Sequence, residues 1–193
     1  YRTILWEVPL MALISELYFL ELSPQIFPRE VRRENNHSKA IVFCANSLKL
    51  AEFGTRRRYS YANQFEVCQD LQQMNNHEQF FVGSSNPYIA MQLDLNVLGT
   101  QAHEWFMFMG AYYGVKMANH MALEKWVEVY GGNLGIALTD TYTSDVFFKA
   151  FNMKFAKLFD GVRHDSGCPF QFIDKVVAHY LKLGITPATK TII

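Results

Sequence analysis

The sequence predicts an α/β fold with a parallel sheet, because short apolar runs, polar clusters and helical patterns follow one another along the chain. Runs this short and this apolar are typical of strands that are buried on both faces, as in parallel sheets. An α/β barrel and an open doubly wound sheet both satisfy the pattern, and in both the carboxyl ends of the strands form the active face. The predicted strands are Leu50–Phe53, Phe80–Val82, Val97-Leu98, Ile136–Leu138 and the residues around Val162.

Three helices are indicated by apolar side chains that recur at helical spacing. Gly131-Gly132 is expected to end the second helix and Gly184 the third, since glycine is the usual residue just beyond a helix. The three apolar stripes are Leu10, Leu13, Ile14, Leu17 and Leu20; Leu123, Trp126, Val127 and Tyr130; and Ile173, Val176, Val177, Tyr180 and Leu181.

Residues 1–49 are predicted to form a helical lead-in followed by a segment without a legible pattern. The most apolar stretch, Ile4–Leu20, contains two glutamates and Pro9, so it is too polar for a membrane span and indicates a buried amphipathic helix. Pro9 suits the first turn of the helix whose apolar stripe begins at Leu10. From residue 21 to about 49, prolines and paired asparagines interrupt any pattern.

Composition narrows the possible classes of protein. With 193 residues, half of them hydrophobic, the chain favours one well-buried domain. The 18 basic and 18 acidic side chains leave no surplus of positive charge for a nucleic-acid surface. Three cysteines without paired spacing indicate reduced thiols in a cytoplasmic protein, and no secretory signal is visible. The first and last residues both look like cut ends, which predicts a piece of a longer protein.

A polar cluster follows each predicted strand, at the end where an α/β enzyme places its site. Taken singly, each cluster has a structural alternative. The arginines could form a solvated face or an anion site, and the serine-rich loop could be a plain turn or an anion site at a helix start. His103 could be structural or catalytic, and the aspartates could cap helices. The clusters are Gly54–Arg57, Gly83–Asn86, Gly99–Glu104, Thr139–Thr141 and Arg163–Gly167.

In their order, these clusters resemble those of the type II phosphoribosyltransferases, and the nicotinate phosphoribosyltransferase family most closely. The resemblance implies an irregular parallel α/β barrel, incomplete at both ends here. Residues 1–193 would be part of one catalytic barrel domain, in which 1–49 form the lead-in and 50–193 the strand-helix units that carry the site. The matching segments are Glu52–Arg58, Phe81–Asn86, Leu98–Glu104, Leu134–Thr141 and Gly161–Gly167.

The resemblance assigns five residues to substrate binding. Phe53 matches the aromatic residue that stacks on the pyridine ring, and Arg56 the arginine that reaches the pyrophosphate of phosphoribosyl pyrophosphate. Thr100 and Arg163 match residues at the nicotinate site, where a guanidinium can bind the carboxylate. Ser85 stands where relatives that use nicotinamide carry an aspartate, so it favours the acid over the amide.

The resemblance assigns three residues to catalysis. His103 matches the histidine that ATP phosphorylates, while Asp140 and Asp165 match acidic residues around the ribose and its magnesium. The implied cofactor is Mg²⁺, with ATP as co-substrate, although the sequence leaves the metal ligands unknown. Cys168 departs from the family pattern, because it replaces a second aspartate and removes one negative charge.

The resemblance thus implies the transfer of phosphoribose to nicotinate, with release of pyrophosphate and coupling to ATP hydrolysis, in NAD biosynthesis. The implied partners are these small molecules and a second copy in a homodimer, with no nucleic acid and no membrane. Two alternatives remain open: a nicotinamide phosphoribosyltransferase, or a non-catalytic fragment that serves as an assembly module.

Overall fold

The computed structural model describes residues 4–24, 28–75 and 79–193, which form two compact units that divide after Gly99. The first unit contains α1 (Ile4–Leu17), a π-helical turn (Tyr18–Leu22), α2 (Arg29–Ala45), β1 (Leu50–Glu52), a 3₁₀ turn (Thr55–Arg57), α3 (Tyr61–Gln73), β2 (Phe81–Ser84) and α4 (Pro87–Leu93). The second contains α5 (His103–Tyr113), a 3₁₀ turn (Val115–Met117), α6 (Ala118–Tyr130), β3 (Ile136–Leu138), α7 (Ser144–Ala150), α8 (Met153–Leu158), β4 (Gly161–Arg163), α9 (Pro169–Lys182), a 3₁₀ turn (Pro187–Thr189) and β5 (Thr191–Ile192).

In the first unit, β1 and β2 pair in parallel, with Glu52 opposite Ser84. The predicted strand at Val97-Leu98 is wrong, because Val97 makes only a single parallel bridge to Ser84. Gly83 explains the close approach there. It has a positive φ of 142°, and a Cβ at this position would overlap the carbonyl group of Asn96.

The core of the first unit lies between β2 and the helices α3 and α4, and includes the buried residues Cys68, Leu71, Phe80, Phe81 and Ile89. Helix α2 packs against α3, where the side chain of Asn36 donates a hydrogen bond to Asp70 at 3.2 Å. This helix occupies most of the segment that shows no legible pattern in the sequence.

Helix α1 differs from its prediction in two respects. Its apolar face is exposed rather than buried: Leu5 is 73% and Leu20, in the following turn, 66% exposed. Its polar residues instead contact the segment before α3, since Ser15 donates a hydrogen bond to the main-chain carbonyl of Arg58 at 2.9 Å. Pro9 lies inside the helix and not in its first turn, so the helix lacks one internal hydrogen bond. Among the described residues, no helix combines the length and apolar character needed to cross a bilayer.

In the second unit, β4 lies between β3 and β5, and both pairings are parallel. The strands at Ile136–Leu138 and around Val162 are confirmed, as are the ends of α6 at Gly131 and of α9 near Gly184. A core of aromatic and aliphatic side chains packs on this sheet, and Phe106, Phe147, Phe151, Phe155 and Phe159 are fully buried in it. Every strand pairing among the described residues is parallel, which confirms the predicted parallel α/β class. The prediction of a single barrel domain for 1–193 stays a prediction.

Candidate active site

The second unit brings three predicted catalytic side chains together. The Nε2 atom of His103 lies 3.2 Å from Oδ1 of Asp140 and 3.7 Å from Oδ2 of Asp165. Strand register explains the grouping: Leu138 pairs with Arg163, and each aspartate follows two residues beyond its strand. Because parallel strands end at the same edge of a sheet, the two carboxylates meet there.

His103 is the first residue of α5. His103 and Glu104 both lie in the first turn of this helix. Ala102 precedes His103 and offers no side-chain cap. A helix start carries partial positive charge, which favours a negatively charged group on His103, whereas the nearby carboxylates of Asp140 and Asp165 oppose one.

Arg163 and Thr100 also meet in the second unit. The Nη1 atom of Arg163 donates a hydrogen bond to the Thr100 hydroxyl at 2.7 Å, while its Nη2 pairs with Asp165. The Thr139 hydroxyl fixes the main chain, because it donates to the Arg163 carbonyl at 2.9 Å. These contacts hold the guanidinium in one orientation, and the side chain as a whole is 24% exposed, so a small anion can still reach it. Two predicted nicotinate-binding residues are thus in direct contact.

Neither aspartate caps a helix, so that structural alternative is wrong. Helix α7 begins after Thr143 and α9 after Cys168, and neither of these residues makes a side-chain cap. Asp140 instead accepts a hydrogen bond from Ser166 at 2.6 Å. Both carboxylates are held at the strand ends by side chains of the site itself.

The donor set at this point fits a divalent cation. One ligand atom from each of His103, Asp140 and Asp165 lies within 4.8 Å of the others. Mg²⁺ is bound in proteins through one or two carboxylates, with water and substrate phosphates completing the shell. The two aspartates match that need, whereas the imidazole is a less suitable ligand for magnesium.

Gln101 is a site residue that the sequence analysis does not identify. Its side chain is only 2% exposed, and its Oε1 accepts the main-chain N–H of Leu138 at 3.3 Å. The contact joins the segment between Thr100 and His103 to the end of β3. A glutamine among turn residues gives no sequence signal of such a role, because its partner is distant in the chain.

The first unit holds the other predicted substrate residues. Phe53 follows β1 directly and is 48% exposed, as stacking on a ligand ring requires. Arg56 lies in the 3₁₀ turn, where its guanidinium contacts the carboxylate of Glu7 at 3.3 Å. Its side chain is also 48% exposed, so a solvated arginine and an anion-binding one are both compatible with this position.

Ser85 lies beyond β2, and its main-chain N–H donates to the carbonyl of Glu52 at 2.8 Å. Two of the main-chain N–H groups at the following helix start are already occupied. The side chain of Asn86 caps α4 by accepting the N–H groups of Tyr88 and Ile89 at 3.1 and 3.2 Å. Any ligand contact from this loop must therefore come from a group other than those two amides, such as the Ser85 hydroxyl.

Glu52 is the second site-region residue that the sequence analysis leaves without a role. Its carboxylate accepts hydrogen bonds from the Gly54 N–H at 2.5 Å, from Ser84 at 2.7 Å and from Gln64 at 3.0 and 3.1 Å. Burial and then the negative charge of Glu52 raise the pKa of the Cys68 thiol to about 12. The sequence signal that could have identified Glu52 is its position, directly after the apolar strand residues Leu50 and Ala51.

Comparison with known proteins places the chain in context. The model of the nicotinate phosphoribosyltransferase (NAPRTase) family matches residues 48–193. The nicotinate phosphoribosyltransferase of Chromohalobacter salexigens is 54% identical over 198 residues, and that of Desulforapulum autotrophicum 48% over 193 residues. Each comparison covers 100% of this chain and 49% of the relative, so the chain spans about half the length of these relatives.

Solved structures agree with the sequence matches. The crystal structure of nicotinate phosphoribosyltransferase from Porphyromonas gingivalis has a TM-score of 0.90 at 42% identity, and covers 100% of this chain and 49% of its own. The structure from Vibrio cholerae has a TM-score of 0.88 at 39% identity, over 98% of this chain and 46% of its own. These neighbours confirm the predicted fold class.

Proposed function

The chain belongs to the nicotinate phosphoribosyltransferase family, and we propose that the protein containing it joins nicotinate to phosphoribosyl pyrophosphate. The products would be nicotinate mononucleotide and pyrophosphate, in NAD biosynthesis. The observation that carries the proposal is the group formed by His103, Asp140, Asp165 and Arg163 at the strand ends of the second unit.

In the second unit, Arg163 would bind the nicotinate carboxylate. Its contacts with Thr100 and Asp165 fix the plane of the guanidinium before the substrate arrives. A fixed donor loses less conformational freedom on binding, and orientation of the pyridine nitrogen toward the ribose converts binding energy into rate. Asp140 and Asp165 would lie near the ribose and hold Mg²⁺, which supplies positive charge against the leaving pyrophosphate.

In the first unit, Phe53 would stack on the pyridine ring, and Arg56 would bind the pyrophosphate end of the sugar substrate. The exposure of both side chains supports these roles. The Ser85 hydroxyl would favour the acid, because it can donate to a carboxylate. For Arg56 to bind pyrophosphate, its ion pair with Glu7 must be exchanged for the substrate.

His103 would accept a phosphoryl group from ATP and so couple ATP hydrolysis to the transfer. Its place at the start of α5 supports this role, since the helix dipole favours a phosphate there. We further propose that the protein is cytoplasmic and acts as a homodimer.

The test is the formation of nicotinate mononucleotide by the full-length protein, measured with and without ATP and Mg²⁺. With Mg²⁺ present we expect product both with and without ATP, and more of it with ATP; without Mg²⁺ we expect the yield to fall, because the leaving pyrophosphate loses its positive partner. Nicotinamide serves as the second substrate in the same assay, and preferential use of the amide would favour the alternative enzyme. A full-length protein that binds neither pyridine nor phosphoribosyl pyrophosphate would instead be an assembly module.

A further inference from the structure

The carboxylate of Glu52 joins the ends of the two strands of the first unit. Its hydrogen bonds with the Gly54 N–H and the Ser84 hydroxyl are 2.5 and 2.7 Å long. Each donor is the direct sequence neighbour of a proposed substrate residue, since Gly54 follows Phe53 and Ser84 precedes Ser85. A single side chain therefore binds the residue next to each of them, Gly54 through its main chain and Ser84 through its hydroxyl.

The main chain of Glu52 adds to this connection. Glu52 lies opposite Ser84 in the β1–β2 register, and its carbonyl accepts the N–H of Ser85 at 2.8 Å. The Ser84 hydroxyl also accepts the N–H of Asn86 at 3.0 Å. The loop that carries Ser85 is thus bound to Glu52 at the serine itself and at Ser84, and Ser84 in turn holds the main chain of Asn86.

A second layer extends from the carboxylate to the arginine turn. Gln64, which is 4% exposed, donates to both Glu52 oxygens and, at 2.8 Å, to the Thr55 hydroxyl. The side chain of Asn86 donates to the same hydroxyl at 3.2 Å. Thr55 is the residue before Arg56, so these hydrogen bonds reach the arginine turn. They do so only through Gln64 and Asn86, and not directly from the Glu52 carboxylate.

The carboxylate of Glu52 exchanges part of its hydration for hydrogen bonds within the protein. The donors just named are all neutral groups, and a partly buried carboxylate with neutral partners gives up hydration that a neutral side chain would not need to lose. What the charge provides is several strong hydrogen bonds from one residue, because an ionised carboxylate accepts on both oxygens. That property positions a loop more rigidly than a neutral acceptor would.

We propose that Glu52 is a positioning residue for the pyridine-binding side chains, and that it holds Phe53 and Ser85 in the geometry that recognises nicotinate. This inference rests on the proposed function. Because Phe53 and Ser85 are adjacent to the groups that Glu52 binds directly, nicotinate recognition depends on Glu52 more than recognition of phosphoribosyl pyrophosphate does.

The experiment compares Glu52→Gln with wild type in the full-length protein. The variant keeps the shape of the side chain but removes its charge and turns one acceptor oxygen into a donor, so one oxygen remains to accept from donors that now bind two. We expect the KM for nicotinate to rise about tenfold, the ratio that corresponds to one lost hydrogen bond to a charged group. The KM for phosphoribosyl pyrophosphate should change clearly less.

Asp70→Asn is the matched control. Asp70 is in the same unit, is 3% exposed and accepts a hydrogen bond from Asn36 at 3.2 Å, away from the strand ends. Its variant should lower the melting temperature and leave the ratio of the two KM values unchanged. If Glu52→Gln lowers the melting temperature in the same way without a change in that ratio, Glu52 is merely structural and the inference is overturned.

Ser84→Ala keeps the inference testable even where Glu52→Gln fails to fold. Ser84 is fully buried, and its loss removes one direct donor to the carboxylate. A rise in the nicotinate KM relative to that of phosphoribosyl pyrophosphate supports the inference, and an unchanged ratio overturns it. Where both variants fold, the double variant should raise the ratio of the two KM values only slightly more than Glu52→Gln does, because both changes break the same contact. If the effects of the two single variants instead multiply, the two residues act independently and a shared role is overturned. An active wild type with unaffected variants overturns this inference alone, whereas an inactive wild type overturns the proposed function itself and this inference with it.

Discussion

Replacement of Arg163 by alanine tests the nicotinate site most directly. The guanidinium donates to Thr100 at 2.7 Å and pairs with Asp165, and its remaining N–H groups are left for the substrate carboxylate. A charge-assisted hydrogen bond of this kind contributes about 1.5–3 kcal/mol, which corresponds to roughly ten- to over a hundredfold in affinity. The ion pair with Asp165 adds little to this loss, because Asp165 is 37% exposed and solvent screens the pair.

The assay is steady-state kinetics of the full-length protein, with nicotinate and phosphoribosyl pyrophosphate varied in turn. We expect Arg163→Ala to raise the KM for nicotinate by the factor above and to change the KM for phosphoribosyl pyrophosphate much less. The KM of Arg163→Lys for nicotinate should lie between those of wild type and Arg163→Ala, since an ammonium group keeps the charge but not the planar arrangement of donors. Arg32→Ala is the control: Arg32 pairs with Glu66 and is similarly exposed, at 31%. Equal losses for both substrates would refute the assignment and leave Arg163 a structural role.

Three further variants test separate parts of the reasoning. Ser85→Asp should reduce the catalytic efficiency with nicotinate several hundredfold, because the aspartate and the nicotinate carboxylate, about 4 Å apart, repel by roughly 4 kcal/mol at an effective dielectric of 20. If the variant prefers nicotinate over nicotinamide as strongly as wild type does, Ser85 does not determine specificity. Labelling with ATP should give an acid-labile phosphate that His103→Ala lacks, and a label that persists in this variant would rule out His103. Burial raises the pKa of Tyr180 from its ordinary value of 10.0 to about 12. As the pH rises from about 10 to 12, the unfolded state therefore loses this proton before the folded state does, and the free energy of unfolding falls. In denaturant titrations, the free energy of unfolding of Tyr180→Phe should fall less over this pH range. At neutral pH the variant should be more stable by about 1 kcal/mol, because the buried hydroxyl has no partner among the described residues.

The parts of the fold that the sequence predicts are those encoded by local pattern. The strands at β3 and β4 and the ends of α6 and α9 depend on apolar runs and on glycines just beyond the helices, and all are confirmed. Helix α2 was missed because its packing depends on polar residues such as Asn36, whose partner Asp70 lies 34 positions away. The exposed apolar face of α1 was missed because the sequence pattern indicates an apolar face but not what covers it.

The candidate site follows the same division. The sequence places Asp140 and Asp165 at strand ends, and the parallel register is sufficient to bring them together. It does not identify Glu52 or Gln101, since both act through main-chain groups or buried side chains that are distant in the chain. Residues that touch substrate stand in recognisable local clusters, whereas residues that hold those clusters are defined only by the tertiary structure.

The position of His103 places a condition on its proposed phosphorylation. The start of α5 would stabilise a phosphate on this histidine by about 0.3–1 kcal/mol. The carboxylates of Asp140 and Asp165 lie 3.2 and 3.7 Å from its Nε2 atom, and each pair of like unit charges about 4 Å apart costs roughly 4 kcal/mol at an effective dielectric of 20. Repulsion therefore exceeds the helix contribution several times over, unless a divalent cation neutralises the carboxylates. The phosphate on His103 should accordingly depend on Mg²⁺ and be short-lived, as an intermediate that drives a transfer must be.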